Sequence, residues 1–349
     1  MKLLEETLKE IGPIDKEMLE KSRQRVDSLI KPVGSMGRIE EFLVQLSGIK
    51  NELYPEINKK AIVIMCADHG VIDEGVAISP AAVTVLQTIN FAKGYTGVCA
   101  LAKQSGADIV TVDIGVFEDV DHEGVINKKI RYGTSNMRVM PAMSYEEAVK
   151  SLEIGIEIVQ DLKDKGYDII GTGEMGICNT TPSSAIISVL GNVDPAEVTG
   201  IGANLPEDRV LNKIQVIKDA IKNNNPNSND PIDVLAKVGG FEIGGMAGVM
   251  IAGAANRIPV IVDGFISTAA ALIACSIEPK VKEYLIPSHK SVEKGAKYAS
   301  ELLGLEPVLD LDMRLGEGTG SAIMFNLIEG GILMNKNMIT FEEMGIGVV

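Results

Sequence analysis

Two glutamates stand out in the sequence because each lies within a glycine-rich stretch. Glu174 is part of Gly171-Thr-Gly-Glu-Met-Gly176, and Glu317 is part of Leu315-Gly-Glu-Gly-Thr-Gly320. Glycines allow a backbone to approach a ligand closely, and a carboxylate held there can act as a general base. Apolar walls would raise its pKa and a helix N-terminus would lower it. Helix capping is the alternative role, but neither packing nor solubility explains a glutamate in such a turn, so catalysis is favoured.

The stretch Gly171-x-Gly173-x-x-Gly176 also matches a dinucleotide-binding fingerprint. That motif needs a second strand that ends in an acidic residue about 20 residues later, and the sequence has none there. A turn that binds a single phosphate through the backbone N–H groups of Gly176 and Ile177, ahead of a helix starting near Thr180, is the favoured interpretation. A plain strand–helix turn remains the alternative.

Lys213 follows the glycine-containing segment Gly200–Pro206 and could neutralise a phosphate as a point charge. The alternative is a solvated lysine on a helix. No G-x-x-x-x-G-K-[ST] motif occurs, which excludes a Walker-type nucleotide hydrolase.

Histidines and aspartates are the residue types that could bind a metal. His69 and His289 have no ligand spacing, and we interpret them as structural residues that hydrogen-bond loop backbones. Four aspartates each close a predicted strand: Asp68, Asp113, Asp263 and Asp312. Because no H-x-x-x-H pair accompanies them, the sequence predicts neither a metal nor another cofactor.

Short apolar runs alternate with helical stretches from residue 61 onward. Six runs are predicted strands: Ala61–Cys66, Asp108–Val112, Tyr167–Ile170, Ile258–Val262, Tyr284–Ile286 and Val308–Leu311. This alternation predicts an α/β fold with a Rossmann-like, doubly wound parallel sheet of about six strands. The polar loops that follow the strands would converge on one edge of the sheet and outline a single site.

The first sixty residues have helical periodicity, over Ile14–Ile30 and Arg38–Asn51. We expect residues 1–58 to form the N-terminal part of a small helical domain, and residues 59–330 to form the catalytic domain. Residues 331–349 are expected to pack against the small domain. The Gly/Ala-rich stretch Ile243–Ala255 is predicted to be a helix packed tightly against the sheet.

Composition narrows the class of protein. The 349 residues carry 33 Lys+Arg against 48 Asp+Glu, a net charge of −15, which argues against nucleic-acid binding. The four cysteines are far apart, so neither a zinc site nor a disulfide framework is indicated. The N-terminus lacks a signal-peptide core, and no apolar stretch reaches the ~20 residues of a membrane helix. We therefore expect a cytoplasmic protein that does not bind a membrane.

Short segments in a fixed order make the chain similar to the nicotinate-nucleotide:dimethylbenzimidazole phosphoribosyltransferases, a family in cobalamin lower-ligand assembly. The segments are Lys31–Glu40, Ala67–Gly70, Glu74–Pro80, Gly173–Pro182, Thr199–Pro206, Lys237–Phe241, Asp263–Phe265, Ile286–His289 and Met313–Gly318. The resemblance implies a homodimer with a Rossmann-like sheet and a small helical domain. It also implies the reaction, in which nicotinate mononucleotide and a benzimidazole give an α-ribazole phosphate and nicotinate.

The family's functional residues fall on definite positions of this chain. By resemblance, Glu317 is the catalytic base and Glu174 an assisting carboxylate. The phosphate-binding elements fall on Gly176, Ile177 and Lys213, and the positions that line the base pocket fall on Ser79, Gln87, Met175 and Leu315. Gly202, Asp263 and Ser291, in the matching segments and strand-end loops, are also expected to bind substrate.

Three alternatives remain open from the sequence. Some relatives within the family attach phenolic bases and form an O-glycoside. A dinucleotide-dependent oxidoreductase would use Gly171–Gly176 for a pyrophosphate. A binding or regulatory protein of the same fold would need neither of the two glutamates.

Overall fold

The fold is an α/β architecture around one parallel sheet, seen in a computed structural model that describes residues 1–345. The strands are β1 (Lys60–Ala67), β2 (Ala107–Gly115), β3 (Val125–Asn127), β4 (Ile169–Met175), β5 (Val260–Val262) and β6 (Leu285–Pro287). The helices before β4 are α1 (Lys2–Lys9), α2 (Lys16–Ser28), α3 (Arg38–Lys50), α4 (Ala82–Lys93), α5 (Gly97–Ser105) and α6 (Tyr145–Asp164). Those after β4 are α7 (Thr180–Gly191), α8 (Pro195–Val198), α9 (Glu207–Asn224), α10 (Pro231–Val238), α11 (Phe241–Ala255), α12 (Phe265–Ile277), α13 (Ala296–Leu303) and α14 (Thr319–Asn337).

The strand order is β3-β2-β1-β4-β5-β6, and every neighbouring pair is parallel. This order reverses direction between β1 and β4, which is where a doubly wound sheet opens a crevice for ligands. The predicted α/β class and parallel sheet of six strands are confirmed. The order also places the loops after β4, β5 and β6 side by side along one edge.

One of the six predicted strands is wrong. Residues 308–311 form no strand, and only an isolated bridge joins Leu309 to His289. These residues are half-buried or exposed, whereas an inner strand of a parallel sheet is covered on both faces. Asp312 therefore closes no strand. The sixth strand is instead β3, a three-residue edge strand that pairs with β2 and was missed.

The strand β4 is longer than the sequence predicted, since it continues to Met175 instead of ending at Ile170. The glycine-rich stretch with Glu174 is thus the end of a strand, and not the turn after it. The turn itself is formed by the residues between Gly176 and the start of α7.

The helix α11 packs between α6, α12 and the sheet, and all but one of its residues are buried. Its crossing with α6 is close because both helices have glycines at the contact. A Cβ on Gly155 of α6 would overlap the Gly245 carbonyl, and one on Gly248 would overlap the Leu152 carbonyl. The predicted tight packing of this stretch therefore involves a helix as well as the sheet.

The long helix α14 joins the edge of the sheet to the N-terminal helices. Near its C-terminal end, Asn335 donates to the Leu53 carbonyl, and Leu29 pairs with Thr340 in an antiparallel bridge. The helices predicted around Ile14–Ile30 and Arg38–Asn51 are present as α2 and α3. The domain limits at residues 58 and 330 stay predictions, and residues 346–349 of the expected C-terminal segment lie outside the described residues. Within residues 1–345, every helix is too short or too polar to cross a membrane.

Candidate active site

A cavity of about 270 Å³ lies at the carboxyl ends of β4, β5 and β6, next to α4. The predicted site residues that line it are Ser79, Gln87, Glu174, Met175, Gly176, Ile177, Gly202, Asp263, Ser291, Leu315 and Glu317. Among the predicted set, only Lys213 does not line it. The structure thus brings together side chains that are up to 238 positions apart in the sequence, because the parallel strands end on one edge.

Glu317 lies immediately before α14 in a left-handed backbone conformation. Its φ is +64°, between Gly316 at +79° and Gly318 at +95°. A non-glycine residue with positive φ is strained, and such strain clusters at functional sites. Its side-chain Oε1 accepts a hydrogen bond from Gln87 Nε2 at 3.0 Å, while Oε2 is buried and has no partner within residues 1–345. Burial raises the pKa of Glu317, although the N–H groups of Gln87 and Val98 act in the opposite direction.

Glu174 is the penultimate residue of β4 and contacts Glu317 directly. The backbone N–H of Glu317 points at Glu174 Oε1 at 3.5 Å, and Asn179 Nδ2 donates to Oε2. Burial, with a smaller contribution from the nearby Asp263, raises the pKa of Glu174 to about 8. Burial thus favours the protonated form of this carboxyl group, whereas the two N–H donors favour the ionised form.

Asp263 follows β5 and caps the start of α14. Its carboxylate accepts from the backbone N–H groups of Gly318 at 3.1 Å, Gly320 at 2.7 Å and Ser321 at 3.3 Å. These donors lower its pKa, but burial outweighs them and raises the pKa to about 7. Within residues 1–345, no lysine or arginine pairs with Asp263, Glu174 or Glu317. Buried carboxyl groups that lack a cationic partner have raised pKa values. Such perturbed groups cluster at functional sites, so these three mark a candidate active site.

The three glycines of the fingerprint-like stretch are explained by packing. A Cβ on Gly171 would lie 2.6 Å from Ser321 Cβ, and one on Gly173 would overlap the carbonyl of Glu317. A Cβ on Gly176 would overlap the carbonyl of Ala67. The first two glycines thus let the start of α14 lie against β4, and the pattern needs no pyrophosphate to account for it.

Lys213, on α9, is buried behind the cavity wall. Its Nζ donates to Thr180 Oγ1 at 2.8 Å and to the Gly200 carbonyl at 3.3 Å, and the residue is 1% exposed. Burial lowers its pKa to about 8. The alternative of a solvated helix lysine is wrong, because the side chain is buried. Thr180 and Gly202, which line the cavity, lie between the cavity and the ammonium group.

The turn after β4 differs from the prediction that the backbone N–H groups of Gly176 and Ile177 are free to bind a phosphate. The Ile177 N–H donates to Thr84 Oγ1 at 3.2 Å, and α7 begins at Thr180 without a side-chain cap because Asn179 is bonded to Glu174. In the first turn of α7 the Thr181 and Ser183 N–H groups are bonded to backbone carbonyls and Pro182 has none, so Thr180 is the polar residue of this helix that lines the cavity.

An apolar wall lies on the side of Glu317. Val83 and Gln87 are one helical turn apart on α4 and line the cavity together with Met175 and Leu315. Leu315 is 58% exposed at the rim, and Met175 is half-buried. A flat aromatic ring matches such a slot, which combines apolar side chains with a few polar groups.

The two histidines have side-chain partners and not the loop backbones that we expected. His69 Nε2 lies 2.9 Å from Glu242 Oε1, with both side chains buried, and His289 Nδ1 lies 3.0 Å from Ser288 Oγ. Within residues 1–345, no group of three or more histidine, cysteine, aspartate or glutamate side chains is placed to hold a metal ion.

Several cavity residues were missed from the sequence: Val83, Asn179, Thr180, His289, Glu293 and Arg314. Asn179, Thr180, His289 and Arg314 lie inside segments that carry the family resemblance, which was the available signal. Glu293 lies outside those segments, and its Oε2 is 3.4 Å from the Gly202 N–H.

Comparisons with known proteins give one consistent result. A family model described as "Phosphoribosyltransferase" matches residues 11–346. The chain is 56% identical over 349 residues, all of both chains, to the nicotinate-nucleotide–dimethylbenzimidazole phosphoribosyltransferase of Alkaliphilus metalliredigens. It is 53% identical to the protein of that name from Clostridioides difficile, over 99% of this chain and 100% of that one. The crystal structure of the Thermus thermophilus enzyme of that name superposes with a TM-score of 0.90 at 34% identity, covering 96% of this chain and 99% of that one.

Proposed function

The chain belongs to this phosphoribosyltransferase family, and we propose that it transfers phosphoribose from nicotinate mononucleotide to 5,6-dimethylbenzimidazole. The products are α-ribazole 5′-phosphate and nicotinate, and the reaction serves the assembly of the cobalamin nucleotide loop. The observation that carries the mechanism is the contact between two buried glutamates, Glu317 and Glu174, at the cavity floor.

We assign Glu317 as the general base. Gln87 occupies one of its carboxylate oxygens, so the unpartnered Oε2 is the atom left to accept a proton. It takes the N–H proton of the benzimidazole, while the lone pair of the other ring nitrogen forms a bond to the anomeric carbon. The bond from that carbon to the pyridinium breaks, and its electron pair leaves with nicotinate. General-base assistance of this kind contributes roughly 10²–10⁴-fold in rate.

The proposed displacement inverts the anomeric carbon from β to α, so the acceptor base and nicotinate lie on opposite faces of the ribose. The transition state resembles an oxocarbenium ion, and nearby carboxylates stabilise its positive charge. The burial of Glu174 and Asp263 and their lack of cationic partners among the described residues support this role for them. Positive charge at the ribose lowers the pKa of both carboxyl groups and draws them toward the ionised form.

We place the substrate phosphate at the start of α7, against Thr180 Oγ1 and Gly202, with Lys213 behind them. Lys213 has no carboxylate within ion-pair distance among the described residues, and Glu293 acts on it only from farther away, so an incoming phosphate supplies a direct counter-charge. That charge raises the lowered pKa of the ammonium group back toward its usual range. Gly176, Ile177 and Ser291 line the same cavity and complete the proposed nucleotide site.

The acceptor base is proposed to bind between Ser79, Gln87, Met175 and Leu315, on the Glu317 side. We also propose that the enzyme is a cytoplasmic homodimer. Exposed apolar side chains on α4 and its flanking loops, Ile78 at 52%, Leu86 at 59% and Tyr95 at 78%, form the surface on which a second copy is expected. Sedimentation at low and high concentration tests the dimer.

The function is tested by incubating purified protein with nicotinate mononucleotide and 5,6-dimethylbenzimidazole and measuring nicotinate release by chromatography. We expect release that depends on the added base, together with a ribazole phosphate identified by mass. Omission of the base is the matched control for hydrolysis. Release only with phenols would identify the phenol-accepting subgroup, and no release with either class of acceptor would overturn the proposal.

A further inference from the structure

His289 occupies a slot that two glycines create for its ring. The residue follows Ser288 at the end of β6, and its side chain is 1% exposed. A Cβ on Gly264, just before α12, would lie 3.1 Å from both Cε1 and Nε2 of the imidazole. A Cβ on Gly320, in the first turn of α14, would overlap Nδ1. A side chain at position 320 would displace the ring and one at position 264 would press against it, so the backbone on both sides restricts its orientation.

The neighbouring hydroxyl determines which ring nitrogen carries the proton. Ser288 Oγ donates its single proton to the Asp263 carbonyl, so toward His289 Nδ1, 3.0 Å away, it acts as an acceptor. Nδ1 therefore carries the hydrogen and Nε2 carries the lone pair. Burial lowers the pKa of His289 to about 4, so the ring is neutral in the physiological range. Within residues 1–345, no group donates a hydrogen bond to Nε2.

The ring lines the cavity that holds Glu174 and Glu317. Among the groups on nicotinate mononucleotide, the phosphate and the carboxylate only accept hydrogen bonds at neutral pH, whereas the two ribose hydroxyls also donate. We propose that His289 Nε2 accepts a hydrogen bond from a ribose hydroxyl of the nucleotide and thereby selects a ribose over a deoxyribose. This inference rests on the proposed function and adds the residue that recognises the sugar.

The acceptor base also has one N–H donor, but its proposed slot is on the other side of the cavity. His289 follows β6, and β5 separates β6 from β4, which carries Glu174 and Met175. Two strand spacings place these loops about 10 Å apart. A ribose bound between Glu174 and Asp263 spans part of this distance, so its hydroxyls can reach β6 while the base cannot.

A coupling experiment tests the proposal. The kcat/KM values for nicotinate mononucleotide and for its 2′-deoxy and 3′-deoxy analogues are measured with wild type and with His289→Phe. The three sugars differ in intrinsic reactivity, so the kcat/KM of each analogue is first divided by the kcat/KM of nicotinate mononucleotide for the same protein. The quantity of interest is this ratio in the variant divided by the same ratio in wild type. For one of the two analogues we expect this quotient to be about 10, since a lost hydrogen bond to a buried acceptor costs about that factor.

Two controls separate the outcomes. His289→Gln, whose amide oxygen can accept at the position of Nε2, should recover part of the discrimination. If His289→Phe does not fold, His289→Leu, which also lacks an acceptor, takes its place. The KM for dimethylbenzimidazole should stay within about 2-fold of wild type, a span of only a few tenths of a kcal/mol. A quotient of 1 for both analogues, or a change confined to the KM of the base, would overturn the role of His289. Failure of wild type to transfer at all would instead overturn the proposed function, and this inference with it.

Discussion

Acidic residues lie at the carboxyl edge in both halves of the sheet, but their partners differ. On β2, Asp113 is fully buried and accepts from the N–H groups of Gly115 at 3.1 Å and Val116 at 2.9 Å. Lys129 Nζ lies 3.1 Å from its other oxygen. In the β4–β5 half, Glu174, Asp263 and Glu317 are also buried but have no cation beside them within the described chain.

The position of a carboxylate at a strand end therefore does not by itself make it reactive. An internal cation satisfies the charge of Asp113, which then stabilises the loop after β2. Without such a cation, the other three carboxyl groups have raised pKa values and can respond to the charge of a substrate. We therefore expect substitutions in the β4–β5 half to affect activity, and substitutions in the β2 half to affect stability.

The largest effect is expected for Glu317→Gln. Loss of the proposed base should lower kcat by roughly 10²–10⁴-fold, with little change in the melting temperature, because the amide keeps the shape of the side chain. Steady-state assays and thermal denaturation measure both quantities, and Glu123→Gln on an exposed loop is the matched control. Unchanged turnover in a folded variant would place the base elsewhere.

Asp113→Asn is expected to have the next largest effect, but on stability. Removing one partner of a buried ion pair leaves Lys129 uncompensated, which should lower the free energy of unfolding by about 3 kcal/mol. Urea denaturation measures this loss, with Asp119→Asn as an exposed control. Activity per folded molecule should remain that of wild type. A fall in kcat at full folding would mean that the two halves of the sheet edge are not separate in function.

Glu174→Gln should stabilise the protein at alkaline pH. The pKa of this carboxyl group is raised from 4.5 to about 8 on folding, so folding favours the protonated form. Its stabilising effect is complete below about pH 4.5 and is lost as the pH rises through 8. The free energy of unfolding of the variant should therefore be closest to that of wild type at about pH 5, and should exceed it by an amount that grows up to about pH 9. A difference independent of pH would show that Glu174 is ionised in the folded protein throughout.

Leu315→Asn is expected to have the smallest effect, because the side chain lies at the rim of the cavity. A polar group there should raise the KM for dimethylbenzimidazole by about 3- to 10-fold, in line with the ~1 kcal/mol of a partly buried leucine. The KM for nicotinate mononucleotide should not change. Leu311→Asn, which is 55% exposed and does not line the cavity, is the control. Equal changes for both substrates would contradict the placement of the base.

The sequence was sufficient for the inner strands and for most of the cavity lining. Runs such as Ala61–Cys66 are continuously apolar because both faces of the sheet are covered, and the polar residues after them must share an edge. It was insufficient at the margins of the sheet, where β3 has only three residues and residues 308–311 are apolar but only partly buried. Nothing in the local sequence distinguishes these two cases, because only the packing of distant elements decides between them.

The same limit applies within the site. The fingerprint-like glycines could be read as a ligand-binding turn until the contact between Gly173 and the Glu317 carbonyl was known. The pairing of His69 with Glu242 joins residues 173 positions apart, and the left-handed conformation of Glu317 depends on how α14 meets β4. Motif spacing identified which residues lie at the site, but it could not identify which charged side chains form pairs with one another.

Asp263 accepts hydrogen bonds from three backbone N–H groups at the start of α14, and the NMR signals of these groups can report on its ionisation. A hydrogen bond to an ionised carboxylate is shorter and stronger than one to a neutral carboxyl group. The amide resonances of Gly318, Gly320 and Ser321 should therefore shift together as Asp263 titrates, and should shift again when a nucleotide brings a positively charged pyridinium ring beside Asp263. The ionisation of the buried cluster can thus be followed by NMR in the resting enzyme, with no turnover and no chromophore.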